Sequence, residues 1–248
     1  MGKKGGLRHL KRLAAPGFWS IHRKEYTWVK RPLSGPHPLV KSIPLLVLIR
    51  DKLRLARTAK EARAIIVEGK VKIDNVTRFD EKFPVGLMDV IEIPSMNKAY
   101  RLVPSQQHMF KLVSISDREK NLKPCRIENI STLRGGLLQL NLHDGRNIRL
   151  KPKGSKAVRF KTKDTLIIDL SKNEIVEQIP LSENSFAVIT GGKNTGINGV
   201  ITKIHNPNPT ADKIVSIKTA DGQEFSSTID YVFPLGKTSP SIILAEVA

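Results

Sequence analysis

The chain has 248 residues, and its 42 lysines and arginines outnumber 23 aspartates and glutamates, giving a formal net charge of +19 and an isoelectric point near 10.1. Such an excess points to a polyanionic partner, with nucleic acid ahead of an anionic membrane surface. The single cysteine, Cys125, excludes an intrachain disulfide and a cysteine zinc site. Residues 43–49 form the best apolar stretch, which is too short to span a bilayer and is interrupted by Pro44. We expect a soluble, cytoplasmic protein.

The positive charge is unevenly distributed. Residues 1–41 carry ten basic side chains and one acid (+9), and residues 42–105 carry twelve and eight (+4). Residues 106–175 carry fifteen and seven (+8), whereas residues 176–248 carry five and seven (−2). The first three segments are therefore predicted to meet the polyanion. The mildly acidic last segment is predicted to face solvent or another protein.

Residues 1–42 predict a basic, extended N-terminal arm, because their prolines disfavour long helices. The segment is polar and proline-rich, so we expect it to be disordered in the free protein. It contains both tryptophans, Trp19 and Trp28, together with Phe18 and Tyr26. These aromatic side chains could stack on bases, or they could pin the arm onto the next domain.

Residues 43–68 predict two helices. Pro44 suits a first helical turn. An apolar stripe follows at helical spacing: Leu45, Leu46, Ile49, Leu53 and Ala56. Thr58 and Glu61 have the spacing of a capping box at the start of the second helix, and Gly69 is placed to end it.

The hydrophobic period then changes to two, which predicts strands at residues 71–74 and 90–93. Downstream, Asp144-Gly145 and Asp221-Gly222 each separate alternating segments and predict β-hairpins. The predicted fold is α+β and multidomain: the arm, a two-helix and small-sheet domain, and two small β-barrel-like domains. The predicted boundaries are 1–42, 43–105, 106–175 and 176–248.

Basic residues recur on the predicted helices. Arg50, Arg54 and Arg57 are spaced as one stripe on the first helix, and Lys60 and Arg63 are three apart on the second. Such a face binds phosphates, although a solvated helix face has the same pattern.

A second basic run contains no acid: Arg146, Arg149, Lys151, Lys153, Lys156, Arg159, Lys161 and Lys163. It is either a phosphate-binding segment or an unstructured, solvated loop. The remaining predicted RNA-binding residues lie in the arm and in a late glycine-rich segment: Lys3, Lys4, Arg8, Lys11, Arg12, Arg23, Lys24, Lys30, Arg31 and Lys193.

The sequence offers no arrangement for catalysis. The glycine cluster at residues 191–199 lacks the Walker pattern, and Tyr231 replaces the first glycine that Gly236-Lys237-Thr238 would need. The six histidines are scattered without a close pair that would suggest a metal site, and Cys125 is predicted to be an unreactive thiol. We expect no catalytic residue, metal, cofactor or small-molecule substrate.

Three parts of the chain resemble parts of a known protein family. Residues 58–63, 69–74 and 84–91 resemble the S-four RNA-binding module, and residues 186–204 resemble a KOW module, a small SH3-like barrel. The arm, with residues 9–16 and Ser34-Gly35-Pro36-His37, resembles the start of ribosomal protein S-four-e. The order of these parts over nearly the whole chain is that of this family.

The resemblance implies a structural protein of the small ribosomal subunit that binds its RNA and has no catalytic activity. The partners it implies are small-subunit ribosomal RNA and neighbouring ribosomal proteins, with no membrane and no homo-oligomer. It places the RNA face on Arg50, Arg54, Arg57, Lys60 and Arg63. It also assigns Gly199 to a close backbone approach. The chain lacks the basic tail of eukaryotic members, so we expect it to be archaeal.

Two alternatives use the same modules. An RNA-modifying enzyme could dock through an S-four module, but it would need a catalytic domain, and residues 107–248 predict only short strands. A transcription factor could contact polymerase through a KOW module, but that role leaves the other basic segments unexplained.

Overall fold

The computed structural model describes residues 8–106, 109–150, 160–206, 212–242 and 244. In these ranges the helices are few and short, and most of the strands belong to three antiparallel five-stranded sheets. This agrees with the expected α+β class. The predicted RNA-binding residues outside the described ranges are Lys3, Lys4, Lys151, Lys153, Lys156 and Arg159.

The N-terminal segment folds back onto the next domain. Its two short strands pair antiparallel: β1 (Leu10–Lys11) and β2 (Trp28–Val29). Trp19 is fully buried and donates its indole N–H to the Ser42 carbonyl at 2.9 Å. Phe18 packs against the same core. The prediction of an extended, disordered arm is therefore wrong for residues 8–41, because their apolar side chains share the core of the following domain.

The first helix is shorter than predicted. Helix α1 (Leu45–Val47) continues as a π-helical turn, Leu48–Lys52, and the Leu53 N–H donates to the Leu48 carbonyl at 2.9 Å. Arg54 then adopts a left-handed backbone with φ of 53°. The prediction of a helix reaching Ala56 is wrong, because this conformation ends the helix before Arg54.

The second helix begins and ends as predicted. In α2 (Ala59–Val67), the Glu61 N–H donates to the Thr58 hydroxyl at 3.2 Å, and the Glu61 side chain accepts from the Thr58 N–H. Gly69 follows the helix with φ of +73°, which a glycine adopts without strain. Ala62 and Ile66 are buried and complete the apolar face toward α1.

The first large sheet follows the helices. Its strands are β4 (Lys72–Ile73), β5 (Val76–Thr77), β7 (Val90–Ile93), β8 (Lys98–Pro104) and β9 (Phe110–Ile115). They lie side by side in the order β5-β4-β7-β8-β9. A separate pair joins β3 (Ser42–Pro44) to β6 (Pro84–Gly86). Because β9 pairs with β8, this sheet continues past the predicted boundary at residue 105.

The strands of the central sheet are β10 (Leu122–Thr132), β11 (Leu138–Leu142), β12 (Asn147–Leu150), β13 (Thr165–Asp169) and β14 (Glu174–Ile179). They lie side by side in the order β12-β11-β10-β13-β14. The predicted hairpin at Asp144-Gly145 is confirmed, with Gly145 at φ of +77°. Strand β14 crosses residue 175, so the change of charge sign does not coincide with the end of this sheet.

The strands of the C-terminal sheet are β15 (Phe186–Ile189), β16 (Asn198–His205), β17 (Ile214–Lys218), β18 (Glu224–Thr228) and β19 (Val232–Gly236). They lie side by side in the order β18-β17-β16-β15-β19. The predicted hairpin at Asp221-Gly222 is confirmed. A Cβ on Gly199 would lie 2.1 Å from the Lys218 carbonyl oxygen, so the strands approach too closely there for any other residue.

The three sheets pack against one another. Val90 of the first sheet shares a small apolar core with Leu170, which follows β13. Met88 packs with Phe233 of the C-terminal sheet. Arg126 of the central sheet donates to the Val232 carbonyl at 2.9 Å. Each sheet is therefore anchored to a neighbour by buried contacts.

Candidate nucleic-acid interface

The N-terminal segment and the helix pair enclose a groove with a volume of about 1020 Å³. Its wall contains Arg50, Arg54 and Arg57 together with the exposed aromatic side chains of Tyr26 and Trp28. We call this feature the aromatic groove. The remaining lining residues are Arg12, His22, Glu25, Thr27, Asp51, Ala56, Thr58 and Ala59. The three predicted arginines are thus brought to one site, although they do not share a helix.

The arginines of the aromatic groove differ in how they are neutralised. Arg50 is half-buried and donates through Nε and Nη2 to both carboxylate oxygens of Asp51, each at 2.8 Å. The hydrogen bond to Asp51 raises the pKa of Arg50 and fixes its plane. Arg54 and Arg57 are exposed and form no ion pair with a carboxylate in the described ranges. They supply the exposed positive charge of the groove.

Helix α2 extends the basic surface beside the groove. Lys60 and Arg63 are exposed on it. Glu61 is occupied at the helix start, where hydrogen bonds from the N–H groups of Arg57 and Thr58 lower the pKa of its carboxyl. This acid is fixed as a cap and does not pair with Lys60 or Arg63.

Arg12 has an internal role. Its side chain is 3% exposed, and it donates to the His22 carbonyl at 2.7 Å and to Glu25 at 3.2 Å. Its Nε also donates to the Trp28 carbonyl at 3.4 Å. We therefore leave Arg12 out of the interface, because it holds the N-terminal segment together.

The other predicted residues of the N-terminal segment are divided. Arg8, Lys30 and Arg31 line a second depression of about 440 Å³ that shares Trp28 and Arg50 with the aromatic groove. Lys30 is paired with Glu81 at 2.6 Å, whereas Lys11 and Lys24 are exposed. Arg23 donates to the carbonyls of Leu13 and Ala15. The basic surface thus continues from the groove along the N-terminal segment.

The second basic run is partly neutralised within the protein. Arg146 pairs with Asp74 at 3.0 Å and with Asp144 at 3.2 Å. Lys163 pairs with Glu128 and with Asp230. Arg149, Lys161 and Lys193 are exposed. Arg149 and Lys161 of this run, and Lys193 of the late glycine-rich segment, thus carry exposed charge, whereas Arg146 and Lys163 pair with acids of the protein.

Lys123 forms a buried charge network that the sequence did not reveal. Its ammonium group lies 2.6 Å from Asp74, 2.6 Å from Asp89 and 3.2 Å from Asp144. Burial opposes the charge of Lys123, but these carboxylates outweigh it and raise the lysine pKa well above its ordinary value. The network joins the first and central sheets. It has no sequence signal, because its members are single acids far apart in the chain.

His37 brings the N-terminal segment into this network. Its Nε2 lies 3.1 Å from Asp89, and a Cβ on Gly86 would lie 2.3 Å from the His37 ring. Burial opposes ionisation of Asp89, but the charge of Lys123 and the hydrogen bonds with His37 and the Gly86 N–H hold the pKa of its carboxyl far below the usual range. This contact gives a structural role to His37, the last residue of the Ser34-Gly35-Pro36-His37 motif.

One group of side chains has the composition of a metal site. Potential ligand atoms of Cys125, His143 and Asp144 lie within 4.8 Å of one another. However, Nδ1 of His143 accepts from the Arg126 N–H and Nε2 faces the Leu87 carbonyl, each at 3.2 Å, so both ring nitrogens are occupied. Burial lowers the pKa of His143 to about 4 and raises that of Cys125 well above its ordinary value. The thiol and the imidazole are thus kept neutral, and the Asp144 carboxylate is already paired with Lys123 and Arg146, so the group does not fit a cation.

Two histidines that are distant in the sequence lie close together in the fold. The rings of His37 and His143 lie 5.9 Å apart between centroids, although the residues are distant in sequence. Their nitrogens are hydrogen-bonded to Asp89, Arg126 and Leu87, so this proximity does not create a metal site.

Among the described residues, no helix is long and apolar enough to cross a membrane.

These features define a protein built on an S-four module, followed in the chain by two further five-stranded β-sheets. The S4 domain model matches residues 43–91, the RS4NT domain model matches residues 4–40, and the model described as Ribosomal family S4e matches residues 96–175. Curated relatives named "Small ribosomal subunit protein eS4" match over the whole chain. The chain belongs to this ribosomal protein family, as its sequence predicted, and the family is not one of enzymes.

The relatives include archaeal proteins. The protein of Desulfurococcus amylolyticus is 44% identical, with 100% of both chains covered, and that of Aeropyrum pernix is 45% identical, with 100% of this chain and 99% of the relative covered. The protein of Methanocaldococcus jannaschii is 43% identical over 98% of this chain and 100% of its own. The crystal structure of the 30S ribosomal protein S4e from Thermoplasma acidophilum is 31% identical, with a TM-score of 0.67, covering 80% of this chain and 96% of that one.

Proposed function

We propose that the protein is a non-catalytic constituent of the small ribosomal subunit that binds and stabilises small-subunit ribosomal RNA in the cytoplasm. The observation that carries the RNA-binding proposal is the aromatic groove, where Arg54 and Arg57 are exposed and form no ion pair within the described ranges. Phosphates would supply the missing negative charge, and release of their counterions would supply affinity. The names of the relatives support the ribosomal location.

The surface available to RNA extends from this groove. It includes Lys60 and Arg63 of α2 and exposed basic residues of the N-terminal segment. The central domain adds Arg149 and Lys161, and Lys193 lies in the KOW-like segment. We propose that the mildly acidic C-terminal domain, which resembles a KOW barrel, faces solvent or a neighbouring ribosomal protein, and that the protein acts as one copy per subunit.

The test is binding of the full-length protein to small-subunit ribosomal RNA, measured over a series of salt concentrations. The Arg54→Ala/Arg57→Ala variant should bind more weakly, and the slope of log affinity against log salt should be less steep by about 1 for each lost phosphate contact. A matched control, Lys203→Ala/Lys218→Ala, removes the same charge from exposed positions of the C-terminal sheet and should keep the wild-type slope. Equal slopes for all three proteins, with folding intact, would reject the groove as the RNA site.

The ribosomal role has a separate test in sucrose-gradient sedimentation of a cell lysate at low and high salt. We expect the protein in the small-subunit peak at both salt concentrations. Its appearance mainly in the light fractions would reject a structural role in the ribosome and favour a regulatory or modification-associated RNA-binding protein.

A further inference from the structure

Two aromatic side chains project from the wall of the aromatic groove. Tyr26 is 63% exposed and Trp28 is 56% exposed, whereas Trp19, in the same segment, is fully buried. Large aromatic groups are normally removed from water unless they serve a contact. Trp19 therefore pins the segment to the core, and the exposed pair requires another explanation.

The exposed rings are held by different neighbours. Arg12 lies 4.9 Å from the centroid of the Tyr26 ring and donates to the backbone carbonyl of Trp28. The Trp28 ring itself packs against the His9 ring, with 5.6 Å between the centroids. The further hydrogen bonds of Arg12 to His22 and Glu25 fix the loop between strands β1 and β2. A ring that is already positioned loses little conformational entropy when a ligand stacks on it. The two side chains thus form a preorganised platform.

The charges around the platform favour a nucleotide over an apolar protein segment. The partners Glu25 and Asp51 neutralise Arg12 and Arg50, whereas Arg54 and Arg57 line the same groove as exposed cations. Combining aromatic rings with a positively charged groove is the usual way to hold unpaired nucleic acid, because bases stack on the rings while phosphates meet the cations. The groove volume of about 1020 Å³ is large enough for a ligand of nucleotide size.

We propose that the aromatic groove binds unpaired nucleotides of RNA, with a base stacked on Trp28 or Tyr26 and the adjoining phosphates on Arg54 and Arg57. The proposal rests on the RNA-binding function proposed above and specifies its ligand as a loop or bulge. Bases within a paired A-form helix are already stacked on one another and cannot reach the platform. The same groove should therefore distinguish single-stranded from paired RNA.

The test compares two probes with the full-length protein: an RNA hairpin with a loop of unpaired uridines, and a fully paired duplex with the same stem sequence. Trp28→Ala should weaken hairpin binding about tenfold, which corresponds to the loss of one stacked base. It should leave duplex binding unchanged. Trp28→Phe should retain most of the hairpin affinity, because phenylalanine still offers a ring.

The matched control is Phe79→Ala. It removes an aromatic ring that is 63% exposed, like that of Tyr26, but does not line the groove. It should bind both probes as the wild type does. Urea-unfolding midpoints equal to that of the wild type will show that each variant is folded. Uridine loops should also quench the emission of Trp28, whereas inorganic polyphosphate, which has charge but no bases, should not.

The outcomes separate this proposal from the function on which it rests. If Trp28→Ala leaves hairpin affinity unchanged while Arg54→Ala/Arg57→Ala weakens it, stacking is overturned and RNA binding by the groove stands. If neither variant weakens binding to either probe, both proposals fail. If Trp28→Ala binds both probes normally but is no longer incorporated into small subunits, the platform contacts a protein, and the nucleotide proposal is overturned.

Discussion

Replacing Lys123 by methionine tests the buried charge network that joins the first and central sheets. The change keeps most of the side-chain volume but removes an ammonium group that lies within 3.2 Å of Asp74, Asp89 and Asp144. The three carboxylates then remain in the interior without their shared counter-charge. We expect a large loss of stability, because an unpaired buried charge cannot regain its hydration.

The magnitude follows from the partners that remain. Removing one partner of a buried ion pair costs about 3–5 kcal/mol. Arg146 still lies 3.0 Å from Asp74 and 3.2 Å from Asp144, and His37 still lies 3.1 Å from Asp89. These contacts offset part of the loss, so we expect about 3 kcal/mol, a substantial share of the roughly 5–15 kcal/mol that stabilises an ordinary domain.

The assay is urea unfolding followed by the fluorescence of buried Trp19. The control, Lys172→Met, removes an exposed lysine next to the central sheet and should change the free energy of unfolding by less than about 0.5 kcal/mol. Adding Asp89→Asn to Lys123→Met removes one uncompensated carboxylate and should restore part of the stability. A cost below about 1 kcal/mol for Lys123→Met would refute the view that this cation holds the sheets together.

Two further predictions concern titratable groups of the interior. Burial opposes ionisation of Asp89 and Asp144, but Lys123 and other neighbours outweigh it and lower the pKa of both carboxyls. The two carboxylates therefore stabilise the fold above about pH 4, and this contribution is lost as the pH falls below that value. The urea midpoint should therefore fall on acidification below about pH 4, and Asp144→Asn should lose less than the wild type over that range; identical profiles would contradict this. Burial and the neighbouring Asp144 carboxylate raise the pKa of Cys125 well above its ordinary value, so iodoacetamide should alkylate the thiol in urea but not in the folded protein. Alkylation at equal rates in both states would show that the thiol is accessible.

Local patterns in the sequence determined much of the fold. The capping box at Thr58 and Glu61 and the glycine at position 69 fixed the ends of α2, because these signals act within one helical turn. The glycine turns at Gly145 and Gly222 located two hairpins for a similar reason. The order of the motifs also identified the family.

The same patterns failed where a local preference met a tertiary demand. The apolar stripe predicted one helix through Ala56, but the chain leaves the helix at Arg54 with a left-handed backbone. The proline-rich segment before residue 42 is polar enough to predict a free arm. Burial of Trp19 in the next domain overrides that tendency, and its partner Ser42 is 23 residues away in sequence.

The modules, their order and the excess of positive charge can be derived from the amino-acid sequence alone. Which of the charges are paired within the protein and which remain exposed depends on the fold. Arg12 and Arg146 are neutralised by acids distant in the chain, whereas Arg54 and Arg57 stay exposed beside Trp28. A sequence lists ionisable groups without their distances. Coulomb energy and desolvation depend on those distances and on burial, so the division of the same residue types into internal ion pairs and a binding surface is made by the fold.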